Sequence, residues 1–340
     1  MMVYLLSFLI VIFYPTFPLA AMSKAPLDQS QEAFNATGVR TFTYQDEKRH
    51  RPVVVELWYP TNWTGPFDES SDQLWVHPKE IRNASFSNLG GNCPLIIMSH
   101  GHGGDRRERS WLADRLVRNG FVVAAVDHYG NTRGSFNLVS SLKFWERGRD
   151  IIFAIDELLR DPFLEKGVDF KRIGFIGYSL GGMTGLGLGG ATVGAIEQAI
   201  EKVAKKHKEV KPEMIAQIDL EEAKKPLKED RIRAMLLICP ATFAYQPESL
   251  RSIKIPVGLV VATHDEVLPY KEHADLILRY LIPAKLKIMG KNISHYSFSN
   301  RISEEGKKFI QKHFYPEANL LDRIHREVGS FAVDFFREFL

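Results

Sequence analysis

The chain has 340 residues, of which 45% are hydrophobic, 25% charged and 11% aromatic. Those proportions belong to a globular protein and exclude a disordered chain, a collagen-like repeat and a coiled coil. The 44 basic and 41 acidic residues leave a net charge of +3, too small a bias for a nucleic-acid binder, and 2 cysteines are too few for a disulfide scaffold.

Residues 1–22 carry no charge. Leu5 to Tyr14 form an apolar run of signal-peptide length, Pro15 and Pro18 interrupt it, and Ala20-Ala21 offer small side chains for cleavage. Residues 1–21 therefore read as a secretory signal, with export to the periplasm or the extracellular space and a mature chain over 22–340. An uncleaved membrane anchor over 1–22 is the alternative. Export would permit Cys93 and Cys239 to pair; two buried thiols are the other outcome. Asn35, Asn62, Asn83 and Asn292 each open an Asn-x-Ser/Thr sequon.

From residue 40 onward short β-branched or apolar runs recur: Arg40–Gln45, Pro52–Tyr59, Pro94–His100, Phe121–His128, Arg172–Tyr178, Arg233–Cys239, Pro256–Thr263 and Ala284–Gly290. The first two lie close enough for a hairpin. The later ones are almost continuously apolar, as strands buried on both faces are. Between them lie amphipathic segments. Trp111, Leu112, Leu116 and Val117 share one helical face that Gly120 terminates; Ile151, Ala154, Ile155, Leu158 and Leu159 share another. Alternation of this kind predicts an α/β protein with a mostly parallel sheet of eight strands and helices on both faces, the layout of an α/β-hydrolase. Residues 196–231 break the rhythm. They are rich in Lys and Glu, are divided by Pro212 and Pro226, and place Ile196, Ala199, Ile200 and Val203 at helical spacing. They are expected to form a helical insertion, either a solvated excursion or a cap over the site. A long amphipathic helix is expected over Asn319–Leu340.

The sharpest local signal is Gly177-Tyr178-Ser179-Leu180-Gly181-Gly182, which follows one predicted strand and opens a helix. A serine on such a strand-to-helix turn is pushed out at the carboxyl edge of the sheet. The turn aims the Leu180 backbone N–H and the positive helix end at the same point, so an attacked carbonyl would find its oxyanion held there. The second donor should come from the loop after an earlier strand, His100-Gly101-His102-Gly103-Gly104, and by position it is the His102 N–H. No carboxylate cluster accompanies His100 or His102, so metal ligation is not expected.

A serine hydroxyl needs a base, and the base needs an orienting carboxylate; in this fold the chain order is Ser, acid, His. Beyond the insertion lie His264, His273, His295, His313 and His325. His295 stands in the loop after the last strand, where the fold places its base. His313 and His325 fall on terminal helices as surface or packing residues, His273 on a helix, and His264 beside the acid itself. Asp265 is the first carboxylate past the strand Pro256–Thr263 and is the expected acid; Glu266 replaces it if the strand ends one residue later.

Several of these segments together resemble a known family. Leu57-Trp58-Tyr59-Pro60, Ser99-His100-Gly101-His102-Gly103-Gly104, Val126-Asp127-His128-Tyr129-Gly130-Asn131-Thr132, Arg149-Asp150 leading a helix, and the Ser179 turn are similar to the dienelactone-hydrolase-related serine esterases, which include platelet-activating-factor acetylhydrolase-like proteins. The resemblance runs from about residue 38 to the C-terminus. It implies an α/β-hydrolase fold, hydrolysis of carboxylic esters and no cofactor. There are departures. Dienelactone hydrolase itself carries a cysteine nucleophile where this chain has Ser179. In the eukaryotic acetylhydrolases the acid follows the strand after the nucleophile helix, which here ends Ile238-Cys239-Pro240-Ala241 without a carboxylate. The family's His-Pro-Gly-Asn-Thr run reads His128-Tyr129-Gly130-Asn131-Thr132, which makes His128 and Tyr129 candidates for the wall of the substrate pocket.

The expectation is a secreted serine carboxylester hydrolase acting through an acyl-enzyme on a short-chain ester or an acetylated lipid-like substrate, with Ser179, Asp265 and His295 as the triad and no metal. The alternatives are a lipase or phospholipase A2-like acetylhydrolase on phospholipids and a catalytically silent binding protein on the same fold. No nucleic-acid partner is expected, and membrane contact only through the N-terminal segment or the cap.

Overall fold

The computed structural model describes residues 34–67, 72–87, 92–165, 167–194, 196–198, 200–201, 210–309 and 315–340. The signal over residues 1–21, His313, and Ala199 and Val203 of the insertion lie outside them. Strands β1 (Ala36–Asp46) and β2 (Arg51–Thr61) form an antiparallel hairpin, with Phe42 opposite Val55. Two short strands follow, β3 (Trp75–Val76) and β4 (Ile81–Arg82). The chain then alternates through β5 (Cys93–Ser99), α1 (Ser110–Val117), β6 (Val122–Asp127), the small hairpin β7 (Asn131–Thr132) and β8 (Ser135–Phe136), α2 (Leu138–Leu142), α3 (Trp145–Arg160), β9 (Val168–Tyr178) and α4 (Leu180–Leu188). In the insertion, residues 196–198 and 200–201 are helical, and two single-turn helices follow, α5 (Pro212–Ile215) and α6 (Glu221–Lys224). The sheet resumes with β10 (Ile232–Ile238), β11 (Val257–Ala262), α7 (Ala274–Tyr280) and β12 (Lys285–Met289); β13 (Arg301–Ile302) and α8 (Ala318–Phe339) close the chain.

Among the described residues the main sheet has 9 strands in the order β12-β11-β10-β9-β5-β6-β2-β1-β4. Eight are the expected ones. The ninth is the two-residue β4, paired in parallel with β1; so short a segment carries no periodicity to read. From β5 to β12 neighbours run parallel, while β2 meets β6 antiparallel.

Strand residues alternate between two cores. In β5, Leu95 and Ile97 face one side and Ile96 and Met98 the other; in β10, Met235 and Leu237 oppose Leu236 and Ile238. The first core takes Ile151, Ala154, Ile155 and Leu158 of α3 and Met183 and Leu186 of α4. The second takes Leu112 and Leu116 of α1 and Ile324, Val328, Phe335 and Phe336 of α8. Each such Leu or Ile contributes about 1.5–3 kcal/mol by leaving water, so the sheet is held from both faces. Gly120 ends the α1 segment at φ 92°, a conformation that favours glycine.

After β5 the chain turns one way to β6; after α3 it crosses to the other side and enters β9. The loops after β5 and β9 therefore diverge at the carboxyl edge of two adjacent strands. In open α/β sheets that crevice is where ligands bind. None of the described helices is long and apolar enough to cross a membrane. The four sequon asparagines are exposed. Cys93 and Cys239 are unpaired with one another.

Candidate active site

Ser179 joins β9 to α4 at φ 54° and ψ −117°, a backbone region that a side chain occupies only under constraint. The constraint is packing. A Cβ on Gly181 would strike the Ser99 carbonyl, one on Gly177 the Gly181 carbonyl, and one on Gly182 would come 2.5 Å from Pro240. Backbones thus approach as closely as hydrogen atoms permit. The Ser179 N–H donates to the Ile238 carbonyl at 3.0 Å, and its own carbonyl accepts from Ala241 at 3.0 Å. The turn is pinned on the β10 side by two hydrogen bonds.

The three residues expected to act together converge. His295 Nε2 lies 3.0 Å from Ser179 Oγ, and His295 Nδ1 lies 2.6 Å from Asp265 Oδ2. All three are buried, at 8%, 7% and 3% exposure for Ser179, Asp265 and His295. Asp265 leaves the end of β11 and its other oxygen accepts from the N–H groups of Val267 at 3.0 Å and Leu268 at 2.7 Å. That leaves Oδ2 committed to the imidazole. Glu266, the alternative acid, does not face the ring: it accepts from the His295 backbone N–H at 3.1 Å. Its exposure and position make it a clamp on the histidine loop. His295 begins a single 3-10 turn capped reciprocally by Ser294 and Ser297, and Tyr178 donates to its carbonyl at 2.8 Å. Tyr178 is in turn covered by the Arg109 guanidinium, 3.3 Å from its ring centroid. Neither Glu266 nor Tyr178 is legible as a support from sequence, because each acts on a backbone atom of a residue far along the chain.

The loop His100–Gly104 passes against the nucleophile turn. A Cβ on Gly101 would sit 3.3 Å from Ser179 Cβ, and one on Gly181 would sit 2.8 Å from the His100 carbonyl. The loop that carries His102 therefore packs directly against the turn that joins Ser179 to Leu180. Asn131 secures His102, donating from Nδ2 to its Nδ1 at 3.1 Å, and accepts from the Gly103 N–H at 3.3 Å. A cavity of about 520 Å³ opens beside this loop. Trp75, His102, Arg133, Val267, Tyr296 and Tyr315 are among its walls.

Neither of the two residues expected on the pocket wall is among the residues lining this cavity: Tyr129 is 46% exposed at the surface and His128 is 1% exposed. His128 is a correction to the sequence reading. Its ring turns inward beneath the loop, with Nε2 2.8 Å from Ser99 Oγ and Nδ1 3.1 Å from Asp150 Oδ2. Burial, with Arg147, Arg51 and Arg49 close by, holds its pKa well below the usual histidine range.

Of the other histidines, His264 is exposed and diverges from the acid beside it, and His273 bonds Thr242 at 2.9 Å. His325 stacks on Trp111 with ring centroids 3.9 Å apart. Among the described residues one group could hold a metal: Cys239, Asp265 and His295, with donor atoms within 4.8 Å of one another. The group fits a cation poorly. Asp265 and His295 already spend their facing atoms on each other, and burial, followed by the Asp265 charge, pushes the Cys239 thiol up, so it stays protonated.

Ser179, His295 and Asp265 thus meet, buried and hydrogen-bonded, at the carboxyl edge of a mostly parallel sheet. The chain has the α/β-hydrolase fold. Residues 76–137 match the model of the family described as platelet-activating factor acetylhydrolase, isoform II. That stretch spans the His100 loop and the His128 loop and stops before Ser179. Lipase 1 of Moraxella sp. (strain TA144) is 24% identical over 257 residues, covering 72% of this chain and 63% of that protein. The chain thus spans somewhat under two thirds of that relative's length. A solved ferulic acid esterase from Streptomyces cinnamoneus superposes with a TM-score of 0.60 over 90% of both chains at 18% identity, a likeness of fold.

Proposed function

We propose that the chain is a serine carboxylester hydrolase that works through an acyl-enzyme. The observation that carries this reading is the unbroken line of hydrogen bonds from Ser179 Oγ through His295 to Asp265, 3.0 and 2.6 Å long, at the end of a strained turn. Ser179 attacks the ester carbonyl while His295 Nε2 takes its proton. Asp265 accepts the Nδ1–H, fixes the tautomer and stabilises the imidazolium. The Leu180 and His102 N–H groups receive the oxyanion, an interaction that typically supplies about 3–4 kcal/mol per donor. The proton passes from His295 to the leaving alkoxide. Water then repeats the sequence on the acyl-enzyme and releases the acid.

The substrate in this reading is a short-chain ester or an acetylated lipid-like ester. Support comes from the cavity of about 520 Å³, which has room for a modest acyl or alcohol group and is walled by Trp75, Tyr296 and Tyr315. A longer-chain, lipase-like reading draws on Val267 and Tyr296, both at the cavity and both 42% exposed. Export belongs to the same proposal, with residues 1–21 as a cleaved signal and 196–231 as a cap-like insertion.

The deciding experiment is a p-nitrophenyl ester chain-length series with wild type and Ser179→Ala. Preference for acetate supports the short-chain reading, and an optimum at long chains above micelle onset supports the lipase. Absence of Ser179-dependent turnover on every ester rejects the proposal and leaves a binding protein. N-terminal sequencing of exported protein that begins at Met1 rejects cleavage.

A further inference from the structure

The triad leaves one group of buried polar residues unused. Arg147 lies in the first turn of α3 and is 2% exposed. A guanidinium taken out of water is costly unless its donors are met. Here they are met by four groups on three separate segments. Nε donates to Thr184 Oγ1 at 3.3 Å, one terminal nitrogen to Asn131 Oδ1 at 2.8 Å, and the other to Ser99 Oγ at 3.2 Å and to the His100 carbonyl.

Those partners are the two walls of the oxyanion site. Thr184 is on the nucleophile helix and passes the contact on, its hydroxyl donating to the Leu180 carbonyl at 3.1 Å. His100 opens the opposing loop, and Asn131 holds both the Gly103 N–H and the His102 ring of that loop. One rigid fork therefore spans from the segment that offers the Leu180 N–H to the segment that offers the His102 N–H. The Ser99 end of the fork is fixed as well. His128 is held neutral with Nδ1–H directed at Asp150, so its Nε2 accepts the Ser99 hydroxyl proton and the Ser99 lone pairs face Arg147. Asp150 is anchored by Arg49 at 2.8 Å and Arg51 at 2.6 Å.

We infer that Arg147 is a positioning residue for ester hydrolysis, setting the distance between the two oxyanion donors, Leu180 N–H and His102 N–H. The inference rests on the serine-hydrolase reading above. Its signature is selective: misplacing donors weakens the hold on the tetrahedral transition state and leaves ground-state binding of the ester unchanged. Lysine keeps the charge but not the fork, so it cannot span the same acceptors.

The test compares wild type, Arg147→Lys and Asn131→Ala on p-nitrophenyl acetate, with folding followed by thermal melts. Each protein is also titrated with an alkyl trifluoromethyl ketone, which forms a tetrahedral oxyanion adduct on the serine. The expected result for Arg147→Lys is a fall in kcat of about 100-fold with KM within about threefold, and ketone affinity falling in parallel with kcat/KM. Asn131→Ala, which removes one acceptor of the Arg147 fork together with the contacts to Gly103 and His102, is expected to lose about tenfold in both quantities. Unchanged ketone affinity in Arg147→Lys, or a loss carried by KM instead of kcat, overturns the inference. If Arg147→Lys does not fold, Asn131→Ala decides, and wild-type kcat with wild-type ketone affinity in that variant overturns it. Wild type without turnover on any ester removes the hydrolase reading and this inference with it; active wild type with indifferent variants removes the inference alone.

Discussion

Two serine–histidine–aspartate chains run through the carboxyl half of this sheet. Ser179, His295 and Asp265 are linked at 3.0 and 2.6 Å; Ser99, His128 and Asp150 at 2.8 and 3.1 Å. All four links are within hydrogen-bond reach, though the Asp265–His295 link is 0.5 Å shorter than the Asp150–His128 link (2.6 against 3.1 Å). They differ in what surrounds them. Ser99 ends β5 in ordinary strand pairing with Val126 and Gly177. Ser179 sits at a positive φ at the head of α4. Burial and three nearby guanidinium groups hold the pKa of His128 well below the usual histidine range despite Asp150 beside it, so its imidazolium is disfavoured and it is a poor acceptor for a serine proton. Asp265 instead spends one oxygen on two backbone N–H groups and offers the other to His295. Connectivity makes a network; a site for the positive charge that catalysis creates makes a relay.

The largest expected contrast lies between the two serines. Ser179→Ala should lower kcat/KM on p-nitrophenyl acetate by about 10⁴-fold or more and abolish labelling by a fluorophosphonate probe. Ser99→Ala should keep the label and lose at most about 30-fold, the cost of loosening the Arg147 fork. Labelled protein after Ser179→Ala would mean that the buried serine is the reactive one. Next come the acids. Asp265→Asn should reduce kcat by about 10³–10⁴-fold and Glu266→Gln by less than about tenfold; the reverse ranking in steady-state assays would give Glu266 the orienting role.

The buried histidines sharpen the comparison through pH. His325 stacks on Trp111 and lies 2.9 Å from the Ser299 carbonyl through Nε2; burial pushes its pKa down to about 4. The unfolded chain therefore binds the extra proton between about pH 6.5 and 4. Stability from this group is complete above the unfolded value and is lost as pH falls through that window, by up to about 3 kcal/mol. Urea unfolding of wild type should weaken from pH 7 to pH 4, and His325→Gln should flatten that part of the curve. A curve of unchanged steepness in the variant would place the acid sensitivity elsewhere.

How much of this the sequence discloses depends on distance along the chain. Strands such as Leu95–Met98 announce themselves because both faces are buried and every residue is apolar. Ser179 and Asp265 are legible as residues just past a strand and His295 as a residue of the loop after one, since the topology of an α/β sheet turns chain position into spatial position. Arg147 is not. A charged residue on an amphipathic helix reads as solvent-facing, and nothing local discloses that four acceptors wait inside. His128 failed in the opposite sense: the family resemblance of its loop put it on the pocket wall, but the buried Asp150, one turn along α3 from Arg147, draws its ring inward. The role of Glu266 also escaped notice, because it acts on a main-chain N–H that sequence does not distinguish from any other.

The backbone at Ser179 has a consequence for durability. An L-residue held at φ 54° and ψ −117° stores strain that glycine would not feel, typically about 1–3 kcal/mol. Ser179→Gly should therefore melt at a higher temperature than Ser179→Ala while being equally inert, and equal melting points would show that the turn is relaxed. Such a protein would outlast its working counterpart. The chain, on this view, is kept slightly fragile at one residue because that residue has a job.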